Sequence, residues 1–96
     1  MENKISVQHF IAVGEGRFFI DLEGKQAELL YRLEDNVMDL YHTFTPEELR
    51  GRGLAEQLTQ KAFEFAEKNR MKIRPSCSYV QHWLKKYPEW IKMVEE

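Results

Sequence analysis

The sequence predicts a mixed α/β domain: an antiparallel strand meander, then a β-α-β crossover with a splayed parallel strand pair, then a C-terminal helix. Three observations predict it. Up to Thr45, apolar and polar side chains alternate in runs separated by turn residues, the pattern of half-buried strands. From Leu54 the pattern switches to a helical period. A short β-rich run, Met71 to Arg74, follows that helix, and strand, helix and strand in one sheet make a parallel crossover.

Ile5, Val7, Ile11 and Val13 occupy odd positions around His9 and predict a first strand. Gly14-Glu15-Gly16 breaks that pattern, and Arg17 to Leu22 resumes it with Phe18, Ile20 and Leu22 on one face. Glu23-Gly24 is a turn signal, so the next run, with Ala27, Leu29, Tyr31 and Leu33 in alternation, closes a hairpin. After Asp35-Asn36, Val37 to Thr45 forms another strand, with Met38, Leu40, His42 and Phe44 expected on one side. In the helix that follows, Leu54, Leu58, Ala62 and Phe65 form an apolar stripe widened by Ala55 and Ala66; Phe63 lies off it. Asn69 is the expected helix end. Pro75 closes the Met71 to Arg74 strand, and the next helix starts with Ser76 as N-cap or with Ser78 as N-cap and Gln81 completing a capping box. Either register puts Cys77 at a helix N-terminus. Val80, Trp83, Leu84 and Tyr87 continue that helix, Pro88 interrupts it, and Trp90 to Val94 is a last short turn.

Ninety-six residues, 43% hydrophobic, can bury one core, so residues 1–96 are read as one domain without room for a separate substrate domain. A net charge of −2 argues against a nucleic-acid binder, whose footprint is a strongly basic face. The lone Cys77 excludes an internal disulfide and a cysteine-based metal site, and fits a reducing compartment. With a charged N-terminus and no long apolar run, the expectation is a cytoplasmic protein that does not engage a membrane.

Chemistry concentrates where the strands give way to the helix. Arg50-Gly51-Arg52-Gly53 places two arginines and two glycines at a helix start. The first helical N–H groups lack intrahelical partners and the helix dipole adds positive charge, so an anion can be held largely by backbone. Glycine permits close approach and the positive φ angles of a phosphate-cradling nest. The run is neither a Walker loop nor a complete dinucleotide fingerprint, and a plain Gly-Arg-Gly helix entry is the other local reading. His42 lies near the end of the strand feeding this turn, and Cys77 just beyond the end of the neighbouring parallel strand. Ligands collect outside such strand ends. A thiolate is the reactive form of cysteine and a helix N-terminus favours it, although buried cysteines and strand histidines are also common structural groups.

These residues resemble the Gcn5-related N-acetyltransferases. Arg50-Gly51-Arg52-Gly53-Leu54-Ala55 matches that family's R/Q-x-x-G-x-G/A pyrophosphate signature, and Tyr41-His42-Thr43, Pro46 to Ala55 and Pro75-Ser76-Cys77-Ser78-Tyr79 are similar to its minimal single-domain members. The likeness runs from about Phe18 to Trp90. It implies acetyl-coenzyme A as acyl donor, with the pantetheine arm pairing to the backbone at Phe44 and Thr45. It also implies a pyrophosphate on the N–H groups of Gly51, Arg52, Gly53, Leu54 and Ala55, with Arg50 and Arg52 adding charge. Cys77 is the implied acyl-contacting residue, His42 the implied base or orienting group, and Tyr79 a reserve proton donor to the leaving thiolate. No metal is implied. The implied partner is an amine of a small molecule or peptide, with the protein a monomer or weak dimer. Larger members have N-terminal helices that shape the acceptor pocket; this sequence lacks them, so a non-catalytic coenzyme A sensor is the alternative. A weaker third reading makes Trp83, Tyr87 and Trp90 a partner-binding face.

Overall fold

In the computed structural model, which describes residues 5–95, five strands form one sheet in the order β1-β2-β3-β4-β5. β1 (Gln8–Ala12), β2 (Glu15–Leu22), β3 (Lys25–Glu34) and β4 (Val37–Phe44) are an antiparallel meander, and β5 (Lys72–Arg74) lies parallel to β4. The turns are tight and run through positive φ, at Gly14 (+75°), Glu23-Gly24 (+53° and +77°) and Asp35-Asn36 (+50° and +66°); glycine, asparagine and aspartate tolerate that region, and Glu23 is held in it by the turn. Alternation buries Phe18, Ile20, Ala27, Leu29, Tyr31, Met38 and Leu40 on one face.

α1 (Leu54–Lys68) covers that face with Leu54, Leu58, Thr59, Ala62, Phe63 and Ala66, and ends at Asn69 as expected. Phe63 lies off the predicted stripe because a second wall receives it. Its ring packs 4.8 Å from Trp83 and 5.9 Å from Trp90, centroid to centroid. Trp83 belongs to α2 (Ser78–Lys86) and Trp90 to the 3-10 segment Pro88–Met93. Trp83 is 2% exposed and belongs to the core, while Tyr87 and Trp90 are half-buried against it, so Trp83 is not part of a free partner-binding face. Beyond it the chain returns to the sheet: Val94 bridges to Ile73, and the Glu95 N–H donates to the Ile73 carbonyl at 2.9 Å. No helix among the described residues is long and apolar enough to cross a membrane.

The first strand departs from its expected pattern. Ile5 and Val7 precede β1, Ile11 is exposed, and Val13 sits in the turn. The inward residue is His9, stacked on Phe18 at 3.9 Å, edge-on to Phe65 at 4.6 Å, with Nε2 2.6 Å from the Tyr31 hydroxyl. Tyr31 reaches over Gly16, where a Cβ would lie 2.4 Å from that hydroxyl, so this position demands glycine. Burial pushes the His9 imidazole below its ordinary value. Protonation therefore favours the unfolded chain: stability is complete above the unfolded pKa of about 6.5 and falls as pH drops from there toward the folded value. Urea midpoints measured at about pH 7.5 and 5.5 should decrease toward the acid side, and His9→Phe should flatten that decrease. Equal slopes in the two proteins would remove His9 as the cause.

Candidate active site at the splayed strand pair

β4 and β5 pair only through Val37–Lys72, Met38–Ile73 and Asp39–Arg74. Pro75 then turns the chain away from the sheet, while β4 continues to Phe44. The last backbone link across the widening gap is the Cys77 N–H, which donates to the Leu40 carbonyl at 2.8 Å. The strands therefore splay from Leu40 onward.

A bulge sits at the same place. Tyr31 pairs with Leu40 and Leu30 with His42, so Tyr41 is an extra residue on β4. One inserted residue reverses the side-chain parity of everything after it. Thr43, opposite the buried Leu29, now faces the helices together with Leu40. His42 and Phe44 face the other way and are exposed. The expectation that Met38, Leu40, His42 and Phe44 share one side is thereby corrected. Nor does His42 stand beside the thiol: the neighbouring group is the Thr43 hydroxyl, 3.6 Å from Sγ. No local signal in Tyr41-His42-Thr43 marks the bulge, so the sequence alone does not place Thr43 beside Cys77.

The helix start is also corrected. Neither serine caps α2; Cys77 is itself the N-cap, with extended φ and ψ of −77° and 132°, and its carbonyl accepts from the Gln81 N–H at 3.1 Å. The Gln81 side chain donates to the Pro75 carbonyl and makes no capping box. Cys77 is half-buried at the mouth of the splay.

The glycine turn forms the opposite bank. A 3-10 turn, Glu47–Leu49, anchors it through the fully buried Leu49, and Arg50 Nε donates to the Thr45 carbonyl at 3.1 Å. Gly51 and Gly53 are left-handed, with φ of +83° and +75°. Gly53 is the N-cap of α1, no side chain caps it, and the first helical bond runs from the Gln57 N–H to the Gly53 carbonyl. The N–H groups of Leu54, Ala55 and Glu56 thus have no intrahelical acceptor. A Cβ on either glycine would meet nothing within 4 Å, so backbone conformation and not crowding selects glycine there.

Between the banks lies a cleft of about 360 Å³ whose lining includes Thr43, Thr45, Arg50, Gly51, Gly53 and Tyr79. Leu54 and Ala55 also line it. Tyr79 is the second residue of α2; burial, then the Glu56 carboxylate, push its phenol above the ordinary range, so it is a proton-bearing group at neutral pH. Arg52 is turned aside: its guanidinium holds the Glu23 carboxylate in a two-point pair at 2.7 and 3.3 Å. The cleft therefore combines an uncapped helix N-terminus, Arg50, the Thr43 hydroxyl and a protonated phenol; the Cys77 thiol does not line it and lies behind Thr43, 3.6 Å from that hydroxyl. Such a site suits an extended anionic ligand with a reactive end.

A family model described as GCN5-related N-acetyl-transferase matches residues 17–94, most of the chain. The chain belongs to the GCN5-related N-acetyltransferase family and is an acetyltransferase with that family's mixed α/β fold. Protein NATD1 of Gallus gallus and that of Mus musculus are each 35% identical to it over 75 residues, 75% of this chain and 68% of theirs. Protein NATD1 of Danio rerio is 36% identical over 83 residues, 81% of this chain and 76% of its own. The NMR solution structure of a GCN5-like protein from Staphylococcus aureus, 33% identical, superposes with a TM-score of 0.67 over 82% of this chain and 80% of that one.

Proposed function

We propose that the protein moves an acetyl group from acetyl-coenzyme A to an amine of a small molecule or peptide, in the cytoplasm, with the acyl group beside Cys77. The observation that carries this reading is the left-handed Gly51–Gly53 turn at an uncapped helix start, opening into a cleft that ends where β4 and β5 part. The residues fit the donor. Free N–H groups and open space above both glycines suit a diphosphate, with Arg50 adjacent. The backbone at Phe44 and Thr45, past the last β5 pairing, suits an extended amide-bearing arm. Bound there, the donor supplies an activated thioester.

Cys77 and Tyr79 stand at the start of α2 to meet it, Cys77 against the acyl carbon and Tyr79 as proton donor to the departing sulfur. His42, on the opposite sheet face, serves an amine that reaches the acyl group through the splay and not along the cleft. One observation favours the sensor reading instead: β1 and β2 are joined by a tight turn, and among the described residues no helix covers the sheet face bearing His42. A thiol-release time course with acetyl-coenzyme A and a broad amine and peptide panel separates the two. Catalysis predicts release continuing far beyond one equivalent; a sensor predicts stoichiometric binding by calorimetry with no thiol released.

A further inference from the structure

The two edges of the sheet are treated differently by the chain. β5 carries Lys72 and Arg74, and the C-terminal segment covers its outer side through Val94 and Glu95. Charge and cover are the usual protections of an edge strand. β1, at the other end, has neither: among the described residues nothing pairs with its outer side. In a sequence that is 31% charged, Gln8 to Val13 holds no Lys, Arg, Asp, Glu or Pro. Three of its apolar residues are exposed, Phe10 at 57%, Ile11 at 54% and Val13 fully.

We propose that β1 is a homodimerisation edge, on which the β1 strand of a second copy pairs antiparallel to make one continuous sheet. Backbone geometry supplies the register. A two-residue turn joins the Ala12–Glu15 pair, and the pair closing such a turn is hydrogen-bonded, so Ala12, Phe10 and Gln8 bond inward to β2. His9 and Ile11 then aim their N–H and C=O groups outward. A two-fold axis at Phe10 sets His9 of each copy opposite Ile11 of the other, satisfying those four pairs of groups, and sets Phe10 against Phe10. Aromatic pairs are favourable cross-strand neighbours, and the absence of charge means that no like charges oppose each other. A second copy therefore meets a chemically identical, uncharged strand that matches it group for group. A single five-residue strand pair falls below the size of stable interfaces, so the dimer is weak and reversible.

Sedimentation equilibrium from micromolar to about 1 mM chain should show a concentration-dependent dimer. The His9 and Ile11 amide signals should shift with concentration in heteronuclear NMR spectra. Phe10→Glu is compatible with the monomer, since Arg17 is its cross-strand neighbour, but sets two carboxylates opposite each other in the dimer. It should weaken association by about ten-fold or more. Phe10→Lys should do the same, and an equimolar mixture of the two variants should associate again, with thermal unfolding verifying that each is folded. A native chain that stays monomeric to about 1 mM, unchanged association in Phe10→Glu, or failure of the mixture to associate would each overturn the proposal.

Discussion

Replacing Cys77 with alanine should reduce acetyl transfer to the uncatalysed background, while coenzyme A affinity should stay within about two-fold, or roughly 0.4 kcal/mol. The two effects separate because two banks of the cleft do different work. The anion bank is the backbone of the glycine turn and the first turn of α1, which Cys77 does not build. On the other bank the Cys77 backbone is fixed by its N–H on Leu40 and its carbonyl on Gln81, so truncating the side chain leaves the helix start in place. What is lost is a half-buried thiol beside the Thr43 hydroxyl. In the covalent route Cys77 Sγ bonds to the acetyl carbon as the carbon–sulfur bond of the donor breaks. Tyr79 gives its proton to the departing sulfur and regains one from the Cys77 thiol. The amine then attacks the acetyl-cysteine, and the Cys77 thiol is restored with the proton the amine sheds. Mass spectrometry after a short incubation with acetyl-coenzyme A, without amine, should find one acetyl group on the peptide containing Cys77 and none in the alanine variant. Turnover unchanged in Cys77→Ala would eliminate this route and leave direct attack by the amine.

Much of this arrangement is legible in the residues because it is built from local chemistry. Glu23-Gly24 and Asp35-Asn36 announce turns, and the Arg-Gly-Arg-Gly run announces a left-handed helix entry; each occurs where the backbone requires φ values that few residues adopt. The crossover follows from the change of hydrophobic period between β4 and α1. What remained hidden depends on partners distant in sequence. The bulge at Tyr41 involves no glycine and is set by how β3 and β4 register, so alternation continued past it puts His42 on the wrong face. Cys77 takes the cap position between two serines because its N–H has Leu40 to bond, 37 residues earlier in the numbering. Phe63 is intelligible only once Trp83 and Trp90 fold back on α1. Arg52 is drawn from the turn by Glu23, which no spacing rule connects to it.

Gly53→Val should lower coenzyme A affinity by roughly 100-fold or more, the loss of about two charge-assisted N–H contacts at ~1.5–3 kcal/mol each. Valine in the left-handed region costs on the order of 1–3 kcal/mol, and the chain escapes that cost by relaxing Gly53 toward extended angles. The relaxation turns the N–H array away from the cleft. No clash contributes in the free protein, since a Cβ at Gly53 would meet nothing within 4 Å. Gly14 supplies the matched control: it has the same φ of +75° and the same open surroundings, but lies in the β1–β2 turn. Gly14→Val should therefore cost comparable stability, lowering the melting temperature by about 4–8 °C per kcal/mol for a chain of this size. It should leave coenzyme A affinity unchanged. Calorimetric titration of both variants decides whether the Gly53 conformation holds the donor or only shapes a helix start; equal affinity losses would show that general destabilisation, and not the anion turn, governs binding.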